Sequence, residues 1–390
     1  MVDYRCLLSS CSRLDKLGLV DSILLILKSA LRLLCWHATN PFKTADTSRE
    51  ILLISSYGRK DLMKDVDTWL DNTRRAIDHK HLEAKNHFGL YLPDTADFQS
   101  AKEMVDDALP FLEFALSKSA KVFLYLRALE ALKYEKSILL NFNWPAEKPL
   151  VSHMEMQLLE NVALQCAKKK GVPTYTMQHG FYSFDGTKLS AQQVNPVNYL
   201  ASVSEVFLSW GDRTLTEVSP YLQAKTKTVG KPHVLVEDFK ESDQPNTKIL
   251  VLLDSSAHQD LNRALLERLK VSEFDQNQVF LIQHPDDHNN YGFPFAHSTH
   301  NEFFPSIVIG MHSSALIQYG ITGHKLIVYG GSRLLRGAQD HFGQFFDLMP
   351  IKGHTFINQI PIDYWKSFIQ YHSKEAIEKL DSVFDLTRAC

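Results

Sequence analysis

Short apolar runs alternate with longer amphipathic stretches along most of this chain. Short continuous apolar runs are typical of strands buried on both faces, and apolar residues spaced three or four apart are typical of helices. The pattern therefore predicts strands and helices in alternation. In the first half it predicts strands at 51–56, 88–92, 121–125, 137–142, 172–177 and 205–210, and helices at about 60–78, 99–118 and 155–170.

A polar run without apolar periodicity, residues 237–246, has the character of an interdomain linker. The alternation begins again after it, with strands predicted at 248–254, 279–283, 307–310 and 325–329, and helices at about 258–270, 314–320, 362–371 and 374–384. Two such series predict an α/β protein with two Rossmann-like domains that face each other across a cleft. We expect an N-terminal helical segment (1–45), a first domain (46–236), a second domain (247–350) and C-terminal helices (351–390).

Composition narrows the classes of function. The chain has 390 residues, which is long enough for two domains. The formal net charge is −3, which argues against a nucleic acid partner. Five cysteines without a C-x-x-C pair indicate neither a zinc site nor a disulfide framework, and they fit a reducing, cytoplasmic setting.

Residues 20–36 form a leucine-rich stretch near the N-terminus. Asp21, Lys28 and Arg32 interrupt it, which argues against a membrane-spanning helix. About 20 residues precede it and no small-residue cleavage site follows, so it does not resemble a secretory signal. Two interpretations stay open. The helix either packs on the first domain, or it lies on the inner face of the plasma membrane with Lys28, Arg32 and Trp36 near the headgroups.

The search for chemistry begins at the predicted strand ends. Ligands of open parallel sheets bind beyond the carboxyl ends of the strands. No G-x-G-x-x-G follows the first strand and no P-loop motif occurs, so the common phosphate cradles are missing. Polar residues directly after the other strands are therefore the candidates.

The first candidate is Gln178-His179-Gly180, after the strand predicted at 172–177. An imidazole is well suited to accept a proton near neutral pH, which makes His179 a candidate general base. Gly180 lets a ligand come close to the backbone, so Gln178 and Gly180 are candidate substrate contacts. The alternative is a histidine that only ends a strand.

The second candidate is Gln283-His284-Pro285, after the strand predicted at 279–283. Pro285 favours an extended His284, whose imidazole could then donate a hydrogen bond to a phosphate oxygen. An ordinary turn that ends a strand is the alternative.

The third candidate is His312-Ser313-Ser314, between a predicted strand and a predicted helix. Serine is a preferred N-cap, so Ser313 has an ordinary structural explanation. The start of a serine-capped helix is also suited to bind an anion, such as the phosphate of a nucleotide.

These motifs, in this order and spacing, resemble those of bacterial cell-envelope glycosyltransferases with the GT-B fold. His179-Gly180 resembles the His-Gly of CDP-glycerol glycerophosphotransferase-like enzymes, where the histidine is thought to be the base. His284-Pro285 and Ser313-Ser314 resemble the His-Pro and Ser-Ser motifs with which bacterial sialyl- and polysialyltransferases contact the CMP part of the donor.

The resemblance extends to two further places. Gly230-Lys231-Pro232, which follows Trp210-Gly211 after a further segment, resembles the interdomain hinge of these enzymes. It implies donor contacts from Gly230 and Lys231, besides Gln283, His284, Pro285, Ser313 and Ser314. Asp185-Gly186 resembles part of the sialyltransferase base motif, which makes Asp185 the rival of His179. Arg333 and Arg336 could meet an anionic substrate or lie in solvent.

The function implied is an inverting, metal-independent transfer from a CMP-, CDP- or UDP-linked donor to a glycan or lipid-linked acceptor. The product would be a bacterial surface polysaccharide such as capsule or lipopolysaccharide. No cofactor and no metal site are expected, because in this interpretation protein groups, and not a bound cation, stabilise the leaving group. Two alternatives stay open, which are a non-hydrolysing UDP-sugar 2-epimerase and a catalytically silent GT-B-like protein that binds a glycan or acts as a scaffold.

Overall fold

The computed structural model describes residues 2–11, 14, 19–56, 60–86, 91–180, 182, 188–189, 196–235, 247–272, 274–300, 302–328 and 362–385. The chain divides into two compact units. The first is Met1–Pro232 with Lys374–Cys390, and the second is His233–Ser373.

The first unit contains a sheet of six strands in which all neighbours are parallel. Across the sheet the order is β3 (Ile77–His81), β2 (Ile51–Ser55), β5 (Leu150–Ser152), β6 (Thr174–Met177), β7 (Val206–Ser209) and β8 (Lys225–Thr228). A separate antiparallel pair joins β1 (Trp36–Ala38) and β4 (Ala84–Asn86). The described helices are α1 (Leu8–Cys11), α2 (Leu19–Cys35), α3 (Lys60–Asn72), α4 (Thr95–Ala108), α5 (Lys118–Leu140), α6 (Leu158–Lys169), α7 (Pro196–Leu200) and α8 (Asp212–Val218).

Strand β2 is buried on both faces of the sheet. Leu52 and Ile54 belong to the core formed with α4, α5 and α6, whereas Ile51 and Leu53 belong to a second core that contains Trp69 of α3. Both faces of the strand are therefore apolar. This explains the uninterrupted apolar run in the sequence.

The second unit contains a sheet of five parallel strands. Their order is β11 (Ala296–His297), β10 (Val279–Ile282), β9 (Ile249–Leu252), β12 (Ile307–Gly310) and β13 (Leu326–Val328). The described helices are α9 (Gln259–Lys270), α10 (Ser314–Ile321) and α11 (Ile362–Lys366). Leu265 and Leu269 of α9 pack on the central strands, and Gly320 of α10 lies against the ring of Trp365.

The last helix, α12 (Ser373–Val383), returns to the first unit. Its Asp381 accepts hydrogen bonds from Trp69 Nε1 at 3.1 Å, Thr73 Oγ1 at 2.5 Å and the Arg74 amide at 3.1 Å. A buried carboxylate with three donors thus fixes the C-terminal helix on α3.

The α/β class with two Rossmann-like parallel sheets is confirmed. Two predicted strands, 121–125 and 137–142, are wrong, because both stretches lie in or at the end of the single helix α5. This helix buries residues around much of its circumference, so its apolar positions form runs instead of one stripe.

Several other elements also differ from the prediction, including the helix predicted at 99–118, which is α4 (Thr95–Ala108). The helix predicted at 60–78 ends at Asn72, and β3 follows it. The strands β5 and β8 were not predicted, because β5 has only three residues and β8 reads Lys-Thr-Lys-Thr at the sheet edge. Most of the strand predicted at 88–92 lies outside the described residues.

Candidate functional site

Two histidines lie where the central strands of the first sheet end. His153 directly follows β5, and His179 is the second residue after β6. Their ring centroids are 6.1 Å apart, and both side chains are buried. The sheet therefore brings a second imidazole, which sequence reasoning missed, next to the predicted base.

A tyrosine defines the environment of His179. The Tyr182 hydroxyl lies 3.1 Å from Nδ1 of His179. Burial raises the pKa of Tyr182 well above its usual value, so the hydroxyl stays protonated at neutral pH. For His179 to accept a proton at Nε2, its Nδ1–H must donate to the Tyr182 oxygen. The contact is compatible with this tautomer.

The neighbours of His179 have different surroundings. The Gln178 amide donates to the carbonyl of Gly180 at 2.7 Å, and its Oε1 accepts the Trp210 amide at 2.8 Å. Gln178 is buried, so these bonds favour a structural role that ties the turn to the end of β7. Gly180 is partly exposed, and a Cβ added there would meet no described atom within 4 Å.

A buried carboxylate fixes the strand ends beside this site. Glu160, in the first turn of α6, accepts the amide and hydroxyl of Ser56 at 2.7 and 2.8 Å. It also accepts the Met154 amide at 2.6 Å and the Ser152 hydroxyl. Burial raises the pKa of Glu160, although these bonds oppose the shift. The sequence signal for it is an acidic residue in a first helical turn.

A cavity of about 430 Å³ opens beside Ser56 and the start of α6. Arg32 of α2 and Arg127 and Glu130 of α5 line it. Glu130 pairs with Arg127, and its other oxygen lies 3.9 Å from Arg32 Nη1, so one carboxylate serves both guanidiniums. The volume lies within the usual range of small-molecule sites, and no motif in the sequence indicated the cavity.

The predicted hinge residues Gly230 and Lys231 lie in the first unit. Gly230 has φ of 85°, a conformation that favours glycine. The Lys231 ammonium pairs with Asp65 and lies 4.3 Å from the ring centre of Trp210. Both charged side chains are buried. The charge of Lys231 is thus matched within its own unit, which favours a structural role.

In the second sheet β10 and β12 end in the predicted donor motifs, and β9 lies between them. Asp254 is the second residue after β9, His284 is the second after β10, and His312 is the second after β12. Because neighbouring parallel strands lie about 4.8 Å apart, the three positions share one sheet edge. Asp254 accepts the His312 amide at 3.1 Å, which joins the ends of β9 and β12.

The ring of His284 is oriented by the turn that follows it. Its Nδ1 accepts the Asp286 amide at 3.1 Å. In the neutral ring the proton therefore resides on Nε2, which makes Nε2 a hydrogen-bond donor. His284 is partly exposed, and Pro285 is exposed.

The two serines have different surroundings. Ser313 is the N-cap of α10, and its hydroxyl accepts the Ala315 amide at 3.3 Å. Ser314 is the first residue of the helix and is partly exposed. Ser313 therefore has the structural role of capping α10. The N-terminus of α10, with Ser314 as its first residue, can still bind an anion.

A polar network supports this edge of the second sheet. Asp287 accepts the Tyr291 hydroxyl at 2.7 Å and the Asn289 side chain at 2.6 Å, while Gln283 donates to the Asn289 carbonyl at 2.8 Å. Burial raises the pKa of Asp287, but these hydrogen bonds outweigh it and leave the pKa below its usual value. Asn262 joins Asp287 to the end of β9. Gln283 thus orders the loop after His284.

Some predicted residues lie outside the described part of the chain, namely Asp185, Arg333 and Arg336. Within the described part, no three His, Cys, Asp or Glu side chains are grouped so as to hold a metal ion.

No family model matches the sequence, and no curated protein matches it. Solved structures with a similar arrangement include the calicheamicin glycosyltransferase CalG4 (11% identity, covering 87% of this chain and 98% of that chain, TM-score 0.48). They also include a UDP-N-acetylglucosamine 2-epimerase from Rickettsia bellii (12% identity, covering 87% of this chain and 97% of that chain, TM-score 0.44). A third is the wall teichoic acid polymerase TagF (11% identity, covering 96% of this chain and 98% of that chain, TM-score 0.42). At these identities and TM-scores the similarity concerns the general arrangement of the chain.

Proposed function

We propose that this chain is a glycosyltransferase that moves a sugar, or a sugar-like group, from a nucleotide-activated donor to a glycan or lipid-linked acceptor. One observation carries the proposal. The ends of β10 and β12 place His284 and His312 at one edge of the second sheet, and β12 leads directly into the serine-capped helix α10. This is an arrangement suited to a nucleotide phosphate.

The second unit would hold the donor. The Nε2–H of His284 and the hydroxyl of Ser314 are donors for phosphate oxygens, and the N-terminus of α10 adds the positive end of its helix dipole. These groups would stabilise the charge that develops on the leaving nucleotide phosphate. In this proposal protein groups stabilise the leaving CMP, CDP or UDP without a bound metal.

The first unit would supply the base. The acceptor hydroxyl attacks the anomeric carbon, its oxygen forms the new glycosidic bond, and the bond to the donor phosphate breaks with both electrons leaving on the phosphate oxygen. Nε2 of His179 takes the hydroxyl proton. Attack from the side opposite the leaving group inverts the anomeric carbon. Asp185 remains the rival base.

The acceptor belongs to a bacterial surface polysaccharide, such as capsule or lipopolysaccharide, in this proposal. The cavity of about 430 Å³ in the first unit is the candidate acceptor subsite. Its arginines, carboxylates and Gln157 offer donors and acceptors for sugar hydroxyls, while Leu158 and Leu159 offer apolar surface. The setting would be the cytoplasm or the inner face of the plasma membrane.

The test is a thermal-shift panel of CMP-, CDP-, UDP- and GDP-linked compounds with the full chain. We expect at least one class to raise the melting temperature of the wild type. His284→Ala and Ser314→Ala should weaken that shift. His288→Ala and Ser306→Ala are matched controls, because His288 is an exposed loop residue and Ser306 directly precedes β12, at the opposite edge of the sheet.

The outcomes separate the alternatives. Binding of a UDP-sugar followed by conversion of that sugar, with no acceptor needed, would favour the 2-epimerase. A wild type that binds no nucleotide in the panel would leave the silent scaffold and contradict a transferase.

A further inference from the structure

Helix α2 has two apolar faces. One face packs in the first unit, where Leu33 is buried and Leu25 and Ile26 pack against the core. The side chain of Lys133, on α5, donates to the carbonyl of Leu33 at 2.7 Å and so holds the end of α2. The expectation that this helix packs on the first unit agrees with these contacts.

The second apolar face is exposed. Ile23, Leu24, Leu27 and Leu31 have 47%, 59%, 56% and 55% of their surface accessible. At about 100° per residue these four positions fall within an arc of roughly 100°. Helix α5 also has two exposed apolar residues, Val122 and Leu140, but they lie about five turns apart and form no strip. The four residues on α2 thus form a continuous apolar strip.

Charged residues border this strip along one side. Lys28 is exposed and lies one turn from Leu24 and Leu31, and Arg32 follows it on the same side. Asp21, the one described acidic residue of α2, is also exposed and lies on this side, about two turns before Lys28. Arg32 already faces Glu130, so Lys28 provides the cation that reaches solvent most directly.

We infer that α2 lies flat on an anionic phospholipid surface, with the strip of Ile23, Leu24, Leu27 and Leu31 inserted between headgroups. An exposed apolar face next to a lysine has the charge and shape of interfacial helices. An apolar partner protein would not need the cation. Among the described helices, none is both long and apolar enough to cross a bilayer.

This contact would bring the chain to substrates held in a membrane. The acceptor would then be a lipid-linked glycan, and this part of the inference rests on the proposed function. Arg32 joins the two features, because it belongs to α2 and also lines the cavity of the first unit.

The test is flotation of the full chain with vesicles of equal parts phosphatidylglycerol and phosphatidylcholine, and with vesicles of phosphatidylcholine alone. We expect the wild type to float with the anionic vesicles and more weakly with the neutral ones. The variant Leu24→Glu/Leu27→Glu should bind anionic vesicles at least about tenfold more weakly. Lys28→Gln should lower binding to anionic vesicles alone.

The control is Leu261→Glu/Val271→Glu, which places two charges at exposed apolar positions of the second unit. It should float like the wild type. Circular dichroism and the nucleotide thermal shift check that each variant is folded. A wild type that floats with neither vesicle, or a Leu24→Glu/Leu27→Glu variant that floats unchanged, would overturn the inference.

A second copy of the chain is the other candidate for covering the strip. In that case light scattering after size exclusion would show a dimer that Leu24→Glu/Leu27→Glu converts to a monomer, and the wild type would not float with vesicles. This pair of results would show that the inference is wrong. Loss of flotation with nucleotide binding retained concerns the membrane contact alone. Absence of nucleotide binding concerns the proposed function.

Discussion

Replacing Lys231 by methionine removes the cation of a buried ion pair. In the first unit the Lys231 ammonium pairs with Asp65 and lies 4.3 Å from the ring centre of Trp210. Asp65 is 3% exposed and Lys231 is 7% exposed. Methionine keeps most of the length of the side chain and loses the charge, so it isolates the contribution of the charge.

The expected cost is large, because Asp65 would remain charged and buried next to an apolar side chain. Removing one partner of such a pair typically costs about 3–5 kcal/mol. For a unit of this size that corresponds to a fall in melting temperature of roughly 6–20 °C. Replacing both partners, as in Asp65→Leu/Lys231→Met, should recover part of the loss because no isolated charge remains.

Urea unfolding followed by tryptophan fluorescence measures this effect. Four of the five tryptophans, including Trp69 and Trp210, belong to the first unit. Lys227→Met is the control, because Lys227 is a partly exposed lysine on the edge strand β8. If Lys231→Met changed the free energy of unfolding by less than about 1 kcal/mol and weakened nucleotide binding, Lys231 would be a donor-binding residue and our structural account of it would be wrong.

Four other results should follow. Ser313→Ala should lower the free energy of unfolding of the second unit by about 1 kcal/mol, because it removes the N-cap of α10. Ser314→Ala should lower it less, and urea unfolding of the two variants measures the difference. Gly320→Ala should cost about 1–3 kcal/mol, because its Cβ would lie 2.4 Å from the Trp365 ring, and fluorescence of Trp365, the one tryptophan of that unit, reports it. Glu160→Gln should cost about 1–3 kcal/mol in chemical unfolding, since an amide group cannot accept all four bonds, and an unchanged midpoint would contradict this role. Burial lowers the pKa of His324 from 6.5 to about 4, so the unfolded chain binds the proton more readily. The stability of the second unit should fall between pH 6.5 and about 4, and less steeply in His324→Phe, which differential melting measures.

The sequence was most informative where strands are buried on both faces. Ile51–Ser55 and Ile307–Gly310 are apolar at successive positions because helices cover both sides of each sheet, and their strand assignments are confirmed. Short or polar edge strands carry no such signal. Strand β3, for example, reads Ile-Asp-His-Lys-His, and only its pairing with β2 identifies it.

The candidate site was accessible from sequence only in part. The positions of His284 and His312 follow from the strand-end rule, because neighbouring parallel strands end at the same edge. The pairing of Lys231 with Asp65 could not be predicted, since the two residues are 166 positions apart. The same holds for His153, whose place beside His179 depends on a three-residue strand.

The central claim is that His179 takes the proton of the acceptor hydroxyl. The most direct measurement is turnover of His179→Gln, with the donor that the nucleotide panel identifies and a membrane or glycan extract as acceptor, beside donor affinity by calorimetry. We predict that turnover falls by about 10²–10⁴ while donor affinity stays within a factor of about two, and that His288→Gln behaves like the wild type. Wild-type turnover in His179→Gln would contradict the claim and leave Asp185 as the candidate base.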